Sequence, residues 1–217
     1  MHIPDGILTP AAAIGGYVVA GAVTWYSLRK IQQQPDPEAQ IPKAALMTAA
    51  FFVASWIHIP VPPTSVHLVL NGLMGVVLGW YAFPAMLVGL FLQAIMFQHG
   101  GLTTLGVNVT MMGLPALAAF FIFQLRTRFH LTGPVNTAIF AFLGGGLGLG
   151  LGALLAFTIL ITSIPTYIDV AAEQAAITAL SLAHVPLAII EGVFTVLIVS
   201  FLLRVRPEML DGHAPAH

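Results

Sequence analysis

Every lysine and arginine in this chain lies in one of three short segments: Arg29, Lys30 and Lys43; Arg126 and Arg128; Arg204 and Arg206. Long apolar stretches separate these segments, and few folds are open to a chain laid out in this way. Of its 217 residues, 58% are hydrophobic and 7% charged, against about 25% charged in an ordinary soluble domain. Seven basic and eight acidic side chains cannot coat a water-soluble core of this size, so the bilayer is the remaining solvent. The net charge of −1 gives no basic surface for nucleic acid, which needs clustered Lys and Arg. Cysteine is absent, which excludes disulfides, thiolate metal sites and Cys nucleophiles. The eight histidines outnumber Lys plus Arg, so imidazole is the most available ligand or proton carrier.

A bilayer span takes about 20 apolar residues, fewer where a helix is broken or buried in protein. Seven spans are read at about 10–28, 44–57, 66–81, 84–97, 109–125, 134–161 and 185–203, with a more polar segment at 162–184 holding Asp169 and Glu173. Prolines 60, 62 and 63 end the second span, because proline lacks the amide donor and clashes with the preceding turn. The stretches 66–81 and 84–97 are short, which leaves open either two spans or one re-entrant feature. Lys and Arg are retained on the cytoplasmic side, and placing the N-terminus outside puts all seven cations there. The expectation is an all-α integral membrane protein with seven transmembrane helices, its N-terminus outside and its C-terminus cytoplasmic. Residues 1–207 then form one domain and 208–217 a disordered tail. The first ten residues show neither a basic n-region nor an apolar h-region, so no cleaved leader is expected.

Enzyme motifs are missing: there is no H-E-x-x-H and no G-x-S-x-G. The glycine run from Gly144 to Gly152 lacks the lysine of a phosphate loop and lies in an apolar stretch. Gly144, Gly148 and Gly152, and likewise Gly146 and Gly150, form small-xxx-small rows suited to close helix packing. Ala12, Gly16, Ala20 and Thr24 form a similar row, facing either the protein's own bundle or a partner. The chain is therefore read as a non-enzyme.

The N-terminus offers ligand chemistry. His2 is too large for methionine removal, so the chain is expected to begin with a free amine at Met1. That amine, the amide nitrogen of residue 2 and the His2 imidazole can close adjacent chelate rings around one ion in a plane. Planar nitrogen coordination suits Ni(II), Cu(II) and, less strongly, Co(II), whereas zinc prefers a tetrahedron. A fourth nitrogen would come from the outer end, where His58, His67, His99 and His184 all stand. Pro4-Asp5-Gly6 is a turn that folds residues 1 and 2 inward, with Asp5 either bonded to a nearby amide or solvated. Glu191, a carboxylate within the last span, is expensive enough there to imply a role: pairing with His184 or packing against other polar groups.

Four segments in order resemble one family: Met1-His2-Ile3-Pro4-Asp5-Gly6, Ser65-Val66-His67-Leu68, the loop from His99 to Asn108, and His184-Val185-Pro186-Leu187-Ala188-Ile189-Ile190-Glu191-Gly192. They are similar to the CbiM/NikM proteins, the membrane substrate-binding components of energy-coupling-factor transporters for cobalt and nickel. The resemblance runs from Met1 to about Glu208. It implies seven spans, an N-terminus plugged into the bundle from outside, and a metal held by Met1, His2 and His67. His99, Ser65, Asn108 and Asp5 are then expected around these ligands. The chain carries no nucleotide-binding motif, so the resemblance also implies partners: a transmembrane coupling subunit, two cytosolic ATPases and a separate small membrane accessory subunit. The implied setting is a prokaryotic cell membrane, and the transported ligand Ni²⁺ or Co²⁺, with no cofactor. The competing expectation is a self-sufficient cation permease or channel driven by the ion gradient. The tail histidines His213 and His217 leave open a transient metal role.

Overall fold

The computed structural model describes residues 2–61, 64–164 and 169–211, with the side chains of 58–61, 64–66 and 211 left aside. Helix α1 (Pro10–Gln32) opens on proline at its first position, with the Thr9 hydroxyl accepting from the Ala12 amide at 3.3 Å. Helix α2 (Ile41–Ala54) is shorter and ends before the prolines. The backbone is pushed extended there and forms a two-stranded antiparallel hairpin, β1 (His58–Val61) with β2 (Thr64–His67), in which His58 faces His67. This hairpin is a departure from an all-α fold. His67 ends a strand and does not open a span.

Next come α3 (Asn71–Leu78), a 3₁₀ turn at Gly79–Tyr81 and α4 (Ala82–Phe97). Asn71–Phe97 is one apolar run of 27 residues, which as a straight rod would be about 40 Å long. Its two flanks meet instead, since the rings of His67 and His99 lie 5.4 Å apart. The chain therefore doubles back at Gly79, whose φ of 57° and ψ of −124° no side chain tolerates well. At this far end the Tyr81 hydroxyl donates to the Pro37 carbonyl at 2.6 Å, between α1 and α2.

Helix α5 (Leu105–Arg128) takes in Asn108, expected in a loop, because the backbone turns helical immediately after Thr104. Helix α6 is Pro134–Thr162. Helix α7 (Val170–Val205) is 36 residues long and takes in most of the more polar segment read between the last two spans. Asp169 starts it by accepting from the Ala171 and Ala172 amides at 3.0 and 3.1 Å. Pro186 does not stop it, since an interior proline removes one hydrogen bond and flanking turns can hold the rest. Residues 208–211, assigned to the disordered tail, form a short helix α8 whose Leu210 is buried and whose Met209 carbonyl accepts from Lys43 Nζ at 2.9 Å. His213 and His217 lie outside the described residues.

Among the described residues, five helical runs are long and apolar enough to cross a membrane: Pro10–Gln32, Asn71–Phe97, Leu105–Arg128, Pro134–Thr162 and Val170–Val205. The protein is a multi-pass membrane bundle, and its seven cations gather at the end away from His67 and His99.

Bare backbone holds the centre together. A Cβ on Gly75 would stand 1.8 Å from the Ala116 carbonyl oxygen, and one on Gly72 would meet Gly144 and Gly145 backbone at 2.5–2.6 Å, so α3 lies directly on α5 and α6. The expected row on α6 is used at Gly144 and Gly148, whereas a Cβ on Gly150 would have nothing within 4 Å. On α1, Gly16 packs inward, where a Cβ would meet the Val107 amide nitrogen at 2.6 Å. Gly75→Ala should therefore destabilise the detergent-solubilised protein by about 3 kcal/mol, the upper end of ordinary overpacking. Gly150→Ala should leave it within about 0.5 kcal/mol. Thermal unfolding of both variants checks this.

Candidate metal centre

Residues 2 to 9 form no helix, yet Ile3 is 2% exposed. A buried segment without secondary structure must find partners for its amide and carbonyl groups elsewhere. Asn108, on the first turn of α5, supplies both. The Ile3 amide donates to Asn108 Oδ1 at 2.9 Å, and Asn108 Nδ2 donates to the Ile3 carbonyl at 3.0 Å. The Thr104 hydroxyl donates to the same carbonyl at 2.6 Å. Asp5 then ties the segment to the loop before α5. Its carboxylate accepts from the amides of Leu102 and Thr103 at 3.2 and 2.9 Å and from the Thr103 hydroxyl at 2.5 Å. The Thr103 hydroxyl and then the loop amides hold the Asp5 carboxyl below its ordinary value of 3.8. A side chain at Gly101 would collide with Asp5 Oδ1 at 2.0 Å, so the loop closes only with glycine there.

This anchoring brings three imidazoles together. One nitrogen from each of His2, His67 and His99 lies within 4.8 Å of the others. The His2 ring is 5.1 Å from that of His67 and 4.1 Å, edge-on, from that of His99. Burial above all, with the neighbouring His99 and His67 among the lesser causes, holds His2 well below the ordinary histidine value of 6.5, so its ring is neutral.

Hydrogen bonds set the tautomers. The Gln93 carbonyl oxygen can only accept, so at 3.0 Å it takes the proton of His2 Nε2. His2 Nδ1 is left with a lone pair, buried and without a hydrogen-bond partner among the described residues. Gln93 is oriented in turn by donating to Ser55 Oγ at 3.0 Å, and Ser55 donates to the Phe52 carbonyl at 2.7 Å. His67 Nδ1 donates to the Leu68 carbonyl at 3.0 Å, which leaves Nε2 as the nitrogen with a lone pair. Neutral imidazoles whose second nitrogen is held by an amide or carbonyl are the usual form of metal-binding histidine.

Of the residues expected from sequence, His2, His67 and His99 converge, while Asn108 and Asp5 hold the segment that carries His2. Met1 lies outside the described residues. Ser65 is present as backbone paired with Pro60, its side chain undescribed, as is that of His58. Glu191 does not pair with His184: it accepts from the amides of Val69 and Leu70, the latter at 3.0 Å, just beyond His67. His184 instead donates from Nδ1 to the Leu180 carbonyl at 2.8 Å. Gln93 and Ser55 were missed. The available signal was a lone amide side chain within an apolar stretch, where an unsatisfied polar group is costly.

The family described as cobalt uptake substrate-specific transmembrane region matches residues 2–209. A Haemophilus influenzae protein is 34% identical over 213 residues, 97% of each chain. The cobalt transport protein CbiM of Clostridium tetani is 29% identical, covering 97% of this chain and 88% of that one. The fused nickel transport protein NikMN of Rhodobacter capsulatus is 33% identical, covering 100% of this chain and 66% of that one. A crystal structure of a truncated transition metal transporter superposes with a TM-score of 0.74 at 25% identity, covering 94% of this chain and 99% of that one.

Two predictions concern the anchored segment. Asn108→Leu strands the Ile3 amide, a loss of about 1–3 kcal/mol, so hydrogen exchange at that amide should accelerate at least about tenfold. Because the folded Asp5 carboxyl is lowered, its contribution is complete above the unfolded value and is lost as pH falls through the lowered folded value. Protection of residues 2–9 should therefore persist below the ordinary aspartate range. Asp5→Asn should remove that acid limb in the same exchange experiment.

Proposed function

The chain belongs to the CbiM family, the substrate-specific transmembrane components of cobalt uptake, and we propose that it captures Ni²⁺ or Co²⁺ from outside the cell with the first residues of its own chain. The observation that carries this reading is the buried Nδ1 of His2, without a hydrogen-bond partner among the described residues and beside two further imidazoles. The proposed ligands are the Met1 amine, the amide nitrogen and Nδ1 of His2, and Nε2 of His67, four nitrogens in a plane. His99 stands against the edge of His2 and Gln93 fixes its ring. The ion sheds water and displaces the proton of the His2 amide, so acid opposes binding. Planar nitrogen donors suit the d⁸ configuration of Ni(II) and offer little to Mg²⁺ or Ca²⁺, which prefer oxygen.

Seven membrane crossings with the N-terminus outside and the C-terminus inside account for all seven cations under the positive-inside rule. Inward release then depends on partners: a membrane coupling subunit, two cytosolic ATPases and a small accessory membrane subunit, together an energy-coupling-factor transporter in a prokaryotic cell membrane.

A second reading takes all three imidazoles, His2, His67 and His99, as ligands, because all three present a nitrogen within 4.8 Å. Extending the N-terminus separates the two. With a few residues placed before Met1, the amine is removed and the planar site should lose stoichiometric nickel and cobalt, measured by elemental analysis of purified protein. A three-imidazole site would keep them under extension and lose them on His99→Ala. His67→Ala should abolish binding in both, and retention of the ion there would defeat the capture reading. Metal uptake that persists in cells lacking the ATPases would defeat the coupled-transport part alone.

A further inference from the structure

Beside the three histidines, a chamber of about 110 Å³ lies between α5, α6 and α7, lined by His2 and, farther along, by Phe157, Ser181 and His184. The same Phe157, Ser181 and His184 also line a larger apolar groove of about 610 Å³ on the outer face of α6 and α7. With Ala153, which also lines both, these side chains are thus the wall between the inside of the bundle and its surface. Depth along α7 locates that wall. Val205 ends the helix near the cations, and the rise from there to His184 is about 31 Å, the thickness of the hydrocarbon layer. His184 therefore stands at the depth of the bilayer margin, its own side chain buried, with the half-buried Ser181 and Leu160 beside it on the lining.

The chemistry of the wall suits a cation in passage and not one held. His184 commits its Nδ1 proton to Leu180 and Ser181 donates its hydroxyl to Ile177 at 2.9 Å. One imidazole nitrogen and one hydroxyl oxygen are left as acceptors. The other lining residues include Ala153, Ala156 and Leu160, and the lining contains no carboxylate. A single neutral imidazole replaces one water of a hydrated divalent ion and binds it weakly. The chamber has room for several waters, so the ion can shed the rest in steps before it meets His2.

Building on the capture reading above, we propose that this chamber is the access vestibule for the divalent ion and that His184 is its transient ligand on the way to His2. A residue that acts only on the path lowers the barrier in both directions, so it alters rates and not the final occupancy.

The test is stopped-flow absorbance of nickel binding to and leaving the full-length protein, with occupancy from equilibrium titration. His184→Ala should slow association and dissociation together by roughly tenfold and leave nickel stoichiometry and affinity unchanged. Wild-type rates would overturn the proposal. So would faster dissociation with unchanged association, which would place His184 in the bound site. Ala156→Leu, which fills the chamber from α6 and leaves the His184 imidazole in the chain, should produce the same paired slowing; wild-type rates in a folded Ala156→Leu protein would overturn the proposal even if His184→Ala fails to fold. His67→Ala, run in parallel, must lose nickel altogether. If it does not, the capture reading falls and the vestibule falls with it, whereas failure at His184 alone leaves the capture reading standing.

Discussion

The candidate site depends on one side-chain amide. Asn108 meets both the amide and the carbonyl of Ile3, the pairing that a neighbouring β-strand would supply, and it does so from the first turn of a helix. Without it a buried segment would carry unpaired backbone groups, each worth about 1–3 kcal/mol, and the apolar Ile3 side chain alone would not secure the register of the segment. Register is what matters here. One residue earlier in the chain is His2, and a slip would carry its imidazole away from His67 and His99.

Polar side chains are few in this protein, and those buried at this end form short chains of orientation. Phe52, Ser55 and Gln93 lead to His2; Leu68 holds His67; Glu191 holds the two amides that follow. Each chain ends by taking up a proton or an amide, so the imidazoles are held neutral with a lone pair in place. An ion arriving here meets donors already turned toward it, and little of the interaction is spent on reorganisation.

Much of this was legible from the residues. The seven cations marked one end of the bundle, the glycine rows marked part of its close packing, and His2, His67 and His99 were singled out before any fold was known. What escaped is of two kinds. Local signals misled where tertiary packing overrode them: the more polar segment 162–184 set the start of the last span near residue 185, yet α7 begins at Val170, and the apolar composition of 66–81 hid a strand followed by a short helix. Long-range partners were invisible because periodicity carries no information about them. Gln93 reaches Ser55 across 38 positions and His2 across 91, and Glu191 reaches Val69 across 122. A buried polar residue announces that it has a partner without saying which.

Helix α7 is also a lever. It is 36 residues long, about 54 Å, and its far end stands well beyond a hydrocarbon layer about 30 Å thick. Pivoted by ten degrees at Val205, such a rod would sweep Glu191 through about 4 Å, farther than a hydrogen bond can stretch. Its carboxylate grips the backbone just after His67, so the helix cannot swing alone. The strand that carries His67 is thereby tied, through the two amides just beyond it, to the longest of the described helices.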